Sequence, residues 1–219
     1  MTPTLAFLHT SPVHVPTFTD LLARLAPGTV ATHIVDEALL RDAQADGHAH
    51  PAIVGRVQAA VQALANQGAR VVVCTCSTIG GAAEATPTAG RFTAARIDRA
   101  MADRAVELGP RVLVVGALQS TLAPTLALIA ESAHRLGRPV HLRQHWVEGA
   151  WAQFEAGQRD DYLGTIADAV RAAAGDAGVV VLAQASMAGA AAALRDLGVP
   201  VLSSPELGVR AALALLPAT

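Results

Sequence analysis

Two stretches in opposite halves of this chain match each other without a gap, and this repeat constrains the fold more than any other feature. Residues 71–83 read VVVCTCSTIGGAA and residues 179–191 read VVVLAQASMAGAA. Both begin with three valines, pass through small or polar residues and enter a run of small residues. Two further pairs keep the same order: residues 5–17 resemble residues 113–125, and residues 95–98 resemble residues 201–204. The repeat predicts two similar halves.

Each half alternates short, β-branched apolar runs with longer alanine- and leucine-rich segments of helical period. This alternation is typical of parallel strands joined by crossover helices, so the sequence predicts an α/β fold. The predicted strands are residues 4–9, 30–35, 70–74, 94–97, 111–117, 140–145, 179–183 and 200–203. The predicted helices include residues 18–25, 52–67 and 162–174.

Composition excludes several classes of function. The formal net charge of −2 leaves no basic stripe for nucleic acid, so no nucleic-acid partner is expected. All 16 basic residues are arginines, which excludes Schiff-base lysine chemistry and a Walker A phosphate loop. No apolar run reaches membrane-spanning length, and the start lacks the pattern of a signal peptide. We therefore expect no membrane partner and a cytoplasmic location.

Polar side chains follow four of the predicted strands, at the point where each strand ends. Ligands of open parallel sheets lie at the carboxyl ends of strands, so two facing halves would enclose a cleft lined by these groups. Each group precedes a helix, where N–H donors favour a small anion, although helix capping alone would explain any single hydroxyl. The groups are His9, Thr10 and Ser11; Cys76, Ser77 and Thr78; Ser120 and Thr121; and Gln184, Ala185 and Ser186.

Cys76 is the residue whose predicted position favours chemistry. A cysteine at a helix N-terminus has its thiolate stabilised by N–H donors, which makes it a base or a nucleophile. Cys74 lies two residues earlier, inside the valine run, where we expect inert apolar packing. One intervening residue makes a disulfide between the two geometrically strained, so both are expected to be free thiols in a reducing compartment.

Two further side chains are candidates at the same edge. His9 follows the first strand and is a candidate general base, with a structural hydrogen-bonded role as the alternative. Arg96 lies near the end of the fourth predicted strand, where it would bind a substrate carboxylate in bidentate fashion or pair with Asp98. His48 and His50 have no third ligand at fixed spacing, and no metal site is predicted.

The Cys76-Ser77-Thr78 motif after a valine strand, the matching segment from Gln184 to Ala188 and the overall length resemble the aspartate/glutamate racemase superfamily. The resemblance covers nearly the whole chain. It implies two pseudosymmetric, flavodoxin-like parallel-sheet halves around an active-site cleft, no cofactor, a small carboxylate substrate and, in many members, a homodimer. It also implies the domains: residues 1–99 completed by a closing helix in residues 205–219, and residues 100–204.

Glutamine stands where the resemblance places the second catalytic cysteine. Racemisation by two bases needs an acid and a base on opposite faces of the substrate, and the amide of Gln184 supplies neither. A two-cysteine racemase is therefore disfavoured. The remaining hypotheses are isomerisation or decarboxylation by proton transfer through Cys76 alone, attack of Cys76 on a double bond, a non-catalytic carboxylate-binding protein, and a hydrolase using Cys76 with His9.

Overall fold

The computed structural model describes residues 4–216, and within that range it contains eight strands, nine α-helices and one 3₁₀ segment. The strands are β1 Leu5–His9, β2 Ala31–Val35, β3 Val71–Cys74, β4 Thr93–Arg96, β5 Arg111–Gly116, β6 His141–Trp146, β7 Val179–Leu182 and β8 Val201–Ser203. The α-helices are α1 His14–Leu25, α2 Glu37–Asp46, α3 Pro51–Asn66, α4 Ser77–Glu84, α5 Arg99–Leu108, α6 Gln119–Leu136, α7 Ala150–Glu155, α8 Arg159–Ala173 and α9 Ser204–Ala214. The 3₁₀ segment is Ala185–Leu194.

The strands form two separate parallel sheets of four strands each. Their orders are β2-β1-β3-β4 and β6-β5-β7-β8, so the second sheet repeats the topology of the first. The α/β fold predicted from the sequence is confirmed, and each of the eight strands lies within one residue of its predicted ends. The β-branched runs locate these strands because such side chains pack well on a pleated, buried surface.

The described chain divides into two compact units, one around each sheet. Unit 1 comprises residues 4–98 together with residues 205–216, and unit 2 comprises residues 99–204. The helix α9 therefore returns to unit 1 after unit 2 is complete. Gly208 permits its close packing there, because a Cβ at this position would lie 2.1 Å from the carbonyl oxygen of Ile97. None of the helices within residues 4–216 is long and apolar enough to cross a membrane.

Each unit has its own apolar core, and the central strands form the middle of it. All five residues of β1 and all four residues of β3 are buried in unit 1, and β7 is equally buried in unit 2. Helices cover both faces of such strands, which explains why they read as continuous rather than alternating apolar runs. The short valine runs thus place the residues that follow them at the carboxyl edge of each sheet.

The strand registers correct the repeat by one residue. The sequence comparison matched Leu5 with Leu113, but Leu5 pairs with Val71 in unit 1 whereas Val112 pairs with Val179 in unit 2. The structural counterparts of Thr10 and Ser11 are therefore residues 117 and 118. A gapless comparison of two apolar strands cannot detect this shift, because register depends on pairing between strands rather than on either strand alone.

Candidate active site

The strand order places the candidate residues at the switch point of each parallel sheet, between the two central strands from which the chain continues to opposite sides. In unit 1 the chain passes from β1 to β2 on one side of the sheet and from β3 to β4 on the other side. In unit 2, β5 and β7 lead to β6 and β8 in the same way. Ligands of open α/β sheets bind at the carboxyl ends of strands at such a switch point. His9 ends β1, Cys76 follows β3 and Gln184 follows β7, so the strands that carry these residues are the ones at these points.

Cys76 is the N-cap residue of α4. Its backbone is extended, with φ −102° and ψ 117°, and its side chain makes no capping hydrogen bond to the helix. The thiol is half-buried, whereas the next two residues, Ser77 and Thr78, are buried. The first N–H groups of a helix have no partner within the helix, and together with the helix dipole they favour a negative charge here.

The second thiol, Cys74, is fully buried in β3. Its Sγ lies 3.6 Å from the backbone oxygen of Cys76, and the two cysteines are not joined by a disulfide. Burial raises the pKa of the Cys74 thiol far above its usual range, and the neighbouring Cys76 raises it further. Cys74 therefore stays protonated at neutral pH and is closed to solutes.

His9 has both ring nitrogens engaged, which favours its structural hydrogen-bonded role over that of a general base. Its Nδ1 lies 2.8 Å from Thr75 Oγ1, and its Nε2 lies 2.9 Å from His33 Nδ1. The Thr75 hydroxyl also donates to the Leu8 carbonyl at 3.3 Å. Only one set of tautomers satisfies all three hydrogen bonds: the Nδ1–H of His33 donates to His9, and the Nδ1–H of His9 donates to Thr75. His9 is fully buried and has no free nitrogen for a substrate proton.

The histidine cluster, which we define as His9, His14 and His33, stays neutral in the folded protein. The rings of His9 and His33 lie edge to edge and nearly coplanar, with centroids 5.2 Å apart, and Phe7 and Phe18 pack against them. Burial, reinforced by the charges that His33 and His14 would carry, lowers the pKa of His9 to about 3. Burial lowers the pKa of His14 to about 4 and also lowers that of His33.

The cluster predicts a loss of stability on mild acidification. The unfolded chain binds protons at these histidines near pH 6.5 while the folded chain does not, so stability is complete above pH 6.5 and falls as the pH drops towards 3. For His9 alone the expected loss is about 2 kcal/mol between pH 6.5 and 5. Urea unfolding at several pH values measures it, and the exposed His134→Gln variant should lose as much as the wild type. A free energy of unfolding that does not change over this range would contradict the neutral cluster.

Arg96 is buried and bound to Asp98, which is the ion pair that the sequence left open as the alternative to binding a substrate carboxylate. Its Nε lies 2.6 Å from Asp98 Oδ1 and its Nη2 lies 3.0 Å from Oδ2, so the pair is bidentate. Nη2 also donates to the carbonyl of Ser77 at 3.3 Å, at the start of α4. A Cβ at Gly80 would lie 3.1 Å from Arg96 Nε, so glycine there makes room for the guanidinium. Arg96 positions the helix that follows Cys76.

Gln184 is the N-cap residue of the 3₁₀ segment in unit 2, as Cys76 is of α4 in unit 1. Its side chain is 8% exposed. Its Oε1 accepts hydrogen bonds from the backbone N–H groups of Ala117 at 2.7 Å and Leu118 at 3.3 Å, at the start of α6. Its Nε2 has no hydrogen-bond partner among the described residues.

The other predicted residues lie at the same two edges. Thr10 is buried and Ser11 half-buried after β1, while Ala185 is buried after β7. Thr121 is buried in the first turn of α6, where the half-buried Ser120 has a hydroxyl with no partner within residues 4–216. The half-buried Ser186 lies 2.9 Å from the Tyr162 hydroxyl, and burial raises the pKa of Tyr162 to about 12.

Sequence reasoning missed the partners of three of these residues: His33 and Thr75 beside His9, Tyr162 beside Ser186, and the amides of residues 117 and 118 beside Gln184. Only the expected pairing of β2 with β1 could have indicated that His33 lies beside His9. No group of three or more His, Cys, Asp or Glu side chains suitable for a metal ion occurs within the part of the chain that the structure describes.

Comparison with known proteins identifies the family. The model of the family described as Asp/Glu/Hydantoin racemase matches residues 15–212. No curated protein sequence matches the chain closely enough to count as a relative.

Similar solved structures include three enzymes. Aspartate racemase from Picrophilus torridus is 12% identical, with a TM-score of 0.66 over 97% of this chain and 93% of that one. Allantoin racemase from Klebsiella pneumoniae is 19% identical, with a TM-score of 0.67 over 96% and 86%. An arylmalonate decarboxylase is 20% identical, with a TM-score of 0.58 over 99% and 94%. These structures share the fold, and the family match over most of the length shows that the chain belongs to the Asp/Glu/hydantoin racemase family.

Proposed function

We propose that this chain is a cofactor-independent enzyme that acts on a small carboxylate or α-substituted acid by proton transfer through one thiol, that of Cys76. The observation that carries the proposal is the difference between the two N-cap positions that follow the central strands. Cys76 in unit 1 is half-buried and open to a solute, whereas unit 2 has Gln184 at this position. An amide neither gives nor takes a proton near neutral pH, so proton transfer depends on one residue.

The proposed step balances with one thiol when carbon dioxide is lost. The bond from the α-carbon to the leaving carboxylate breaks, and its electron pair remains on the substrate as an enediolate. The Sγ–H of Cys76 then gives its proton to the α-carbon, leaving a thiolate that water reprotonates. Because the proton arrives from one side only, the product is a single enantiomer. In the alternative in which Cys76 attacks a double bond, its thiolate forms a carbon–sulfur bond and the π electron pair moves onto the neighbouring carboxylate as an enediolate. After rotation about the resulting single bond, this pair re-forms the double bond and the thiolate leaves.

Polar groups of the first turn of α4 support the same chemistry. Ser77 and Thr78 directly follow Cys76, and Thr10 follows the neighbouring strand β1. Hydroxyl and backbone N–H donors aimed at a developing oxyanion each typically contribute about 10²-fold or more to the rate. We assign these residues to the carboxylate whose charge grows as the enediolate forms.

The hydrolase alternative has less support, because a Cys-His pair needs a histidine nitrogen that reaches the thiol. Both nitrogens of His9 are bonded elsewhere, to Thr75 and His33. The non-catalytic binding protein remains the competing hypothesis, and the reactivity of Cys76 separates it from the enzyme.

Thiol labelling together with a substrate panel tests the proposal. We expect iodoacetamide at pH 7 to modify Cys76 faster than it modifies free cysteine, with Cys74 unmodified until the protein unfolds. Peptide mass spectrometry assigns each label. The panel contains malonates, maleate, hydantoins and α-amino acids, and a turned-over acid should protect Cys76. Labelling of Cys76 at the rate of free cysteine, with no turnover of any panel member, would favour the non-catalytic binding protein.

A further inference from the structure

Gln184 carries a buried amide of which only one half is satisfied within the protein. The oxygen accepts two backbone hydrogen bonds, from Ala117 and Leu118, while the nitrogen has no partner within residues 4–216. With 8% of its surface exposed, the side chain has little access to water. Buried polar groups without partners are rare, because leaving one unpaired loses the hydrogen bonds that it would make in water.

The orientation of this amide is determined by its partners. Backbone N–H groups only donate, so the atom of Gln184 that faces Ala117 and Leu118 must be the oxygen. If the oxygen and nitrogen of the Gln184 amide were exchanged, its NH₂ group would face two backbone N–H groups and no hydrogen bond could form. The nitrogen therefore points away from these two amides, and its two N–H groups require acceptors.

A second buried donor lies in the segment after β5 that Gln184 contacts. The Ser120 hydroxyl is buried and has no partner among the described residues, and Ser120 is two positions beyond Leu118, whose N–H binds Gln184. Both unpaired groups belong to segments that leave the carboxyl edge of the unit 2 sheet, one after β5 and one after β7. The two backbone N–H groups at the start of α6 already donate to the Gln184 oxygen, so they are not available to bind a ligand.

We propose that Gln184 determines substrate specificity: its Nε2 donates to an oxygen of the ligand, a carboxylate or carbonyl, and excludes an ammonium group from this position. The Ser120 hydroxyl is the second donor of this unit 2 subsite. The inference deepens the proposed function and rests on it for the identity of the ligand as a substrate. It predicts that the part of the substrate bound here is an oxygen acceptor and not the amino group of an amino acid.

The test compares two probes of similar size and opposite charge, malonate and 1,3-diaminopropane, by titration calorimetry. Gln184→Glu keeps an oxygen for the two backbone amides but replaces the donor nitrogen by a second acceptor. We expect this variant to bind malonate at least about tenfold more weakly than the wild type, a loss of about 1.4 kcal/mol. Its affinity for 1,3-diaminopropane should rise. The matched control is Gln144→Glu, on the exposed surface of β6, which should leave malonate affinity unchanged.

Other outcomes overturn the inference. One is that the wild type, Gln184→Glu and Gln184→Met bind malonate with the same affinity. The other is that the wild type does not bind malonate. Gln184→Met removes both amide atoms and covers the case in which the glutamate variant fails to fold. If malonate affinity depends on Gln184 but no acid is turned over, the proposed function fails and the subsite stands. If acids are turned over and the Gln184 variants bind malonate normally, only the subsite fails.

Discussion

Replacing Cys76 by serine or alanine is expected to lower turnover by about 10³-fold or more. A serine hydroxyl is far less acidic than a thiol, and alanine carries no proton to transfer. Gln184 cannot replace the lost group, since its amide does not titrate. The measurement is the rate of consumption of the acid identified in the substrate panel, together with thermal unfolding to show that the variants remain folded.

The matched control for this prediction is Cys74→Ala. This residue is buried in β3, and burial keeps its thiol protonated, so its removal should affect stability and leave turnover near the wild-type rate. Full activity in both Cys76 variants would refute the single-thiol mechanism. Loss of activity in a folded Cys74→Ala variant would show that Cys74, and not Cys76, carries the chemistry.

Replacing Asp98 by asparagine is expected to destabilise the protein by about 3–5 kcal/mol, because it leaves the Arg96 guanidinium buried without its counter-charge. The side chains of Arg96 and Asp98 are 6% and 0% exposed, so water cannot compensate. Arg96 also binds the carbonyl of Ser77, and we expect α4 to lose part of its anchorage next to Cys76. Urea unfolding at pH 7 measures the stability.

The control is Asp42→Asn, which breaks a surface ion pair with Arg56 in the same unit. Solvent-exposed pairs contribute little, so this variant should unfold close to the wild-type midpoint. Equal stability of the Asp98 and Asp42 variants would show that the buried pair is not needed to hold the loop between β4 and α5.

The fold was predictable because its signals are local. A short valine run such as Val71–Cys74 specifies a buried strand through β-branched packing, and in a βα unit the residues directly after such a strand lead into a helix. Cys76 was accordingly expected at the N-terminus of α4, and it is the N-cap residue there. The repeat also predicted two sheets of the same topology, which is what the chain forms.

The partners of the candidate residues were not predictable in the same way, because they come from distant parts of the chain. The sequence left His9 open as a general base or a structural hydrogen-bonded residue. The pairing of β1 with β2 brings His33 to one of its ring nitrogens, and Thr75 of the neighbouring segment binds the other. Both bonds depend on which strands are neighbours and in which register. Arg96 is different: its partner is two residues away, and sequence alone left the ion pair and the ligand equally open.

The contacts of Gln184 with the backbone were likewise not predictable from the sequence. The sequence places a glutamine where the family resemblance implies a cysteine, which was enough to disfavour two-base racemisation. It does not reveal that the amide oxygen binds the N–H groups of Ala117 and Leu118, because those contacts involve no side-chain pattern. The one-residue shift in register between the halves also hides which backbone groups correspond.

Deuterium incorporation at the α-carbon is the most direct measurement of proton transfer by one thiol. When the wild type converts its acid in D₂O, proton NMR and chiral chromatography of the product should show one deuterium at that carbon and a single enantiomer. Racemic, deuterated product would reveal a second base on the opposite face, and product without deuterium would show that Cys76 transfers no solvent-derived proton. Either result would contradict the account.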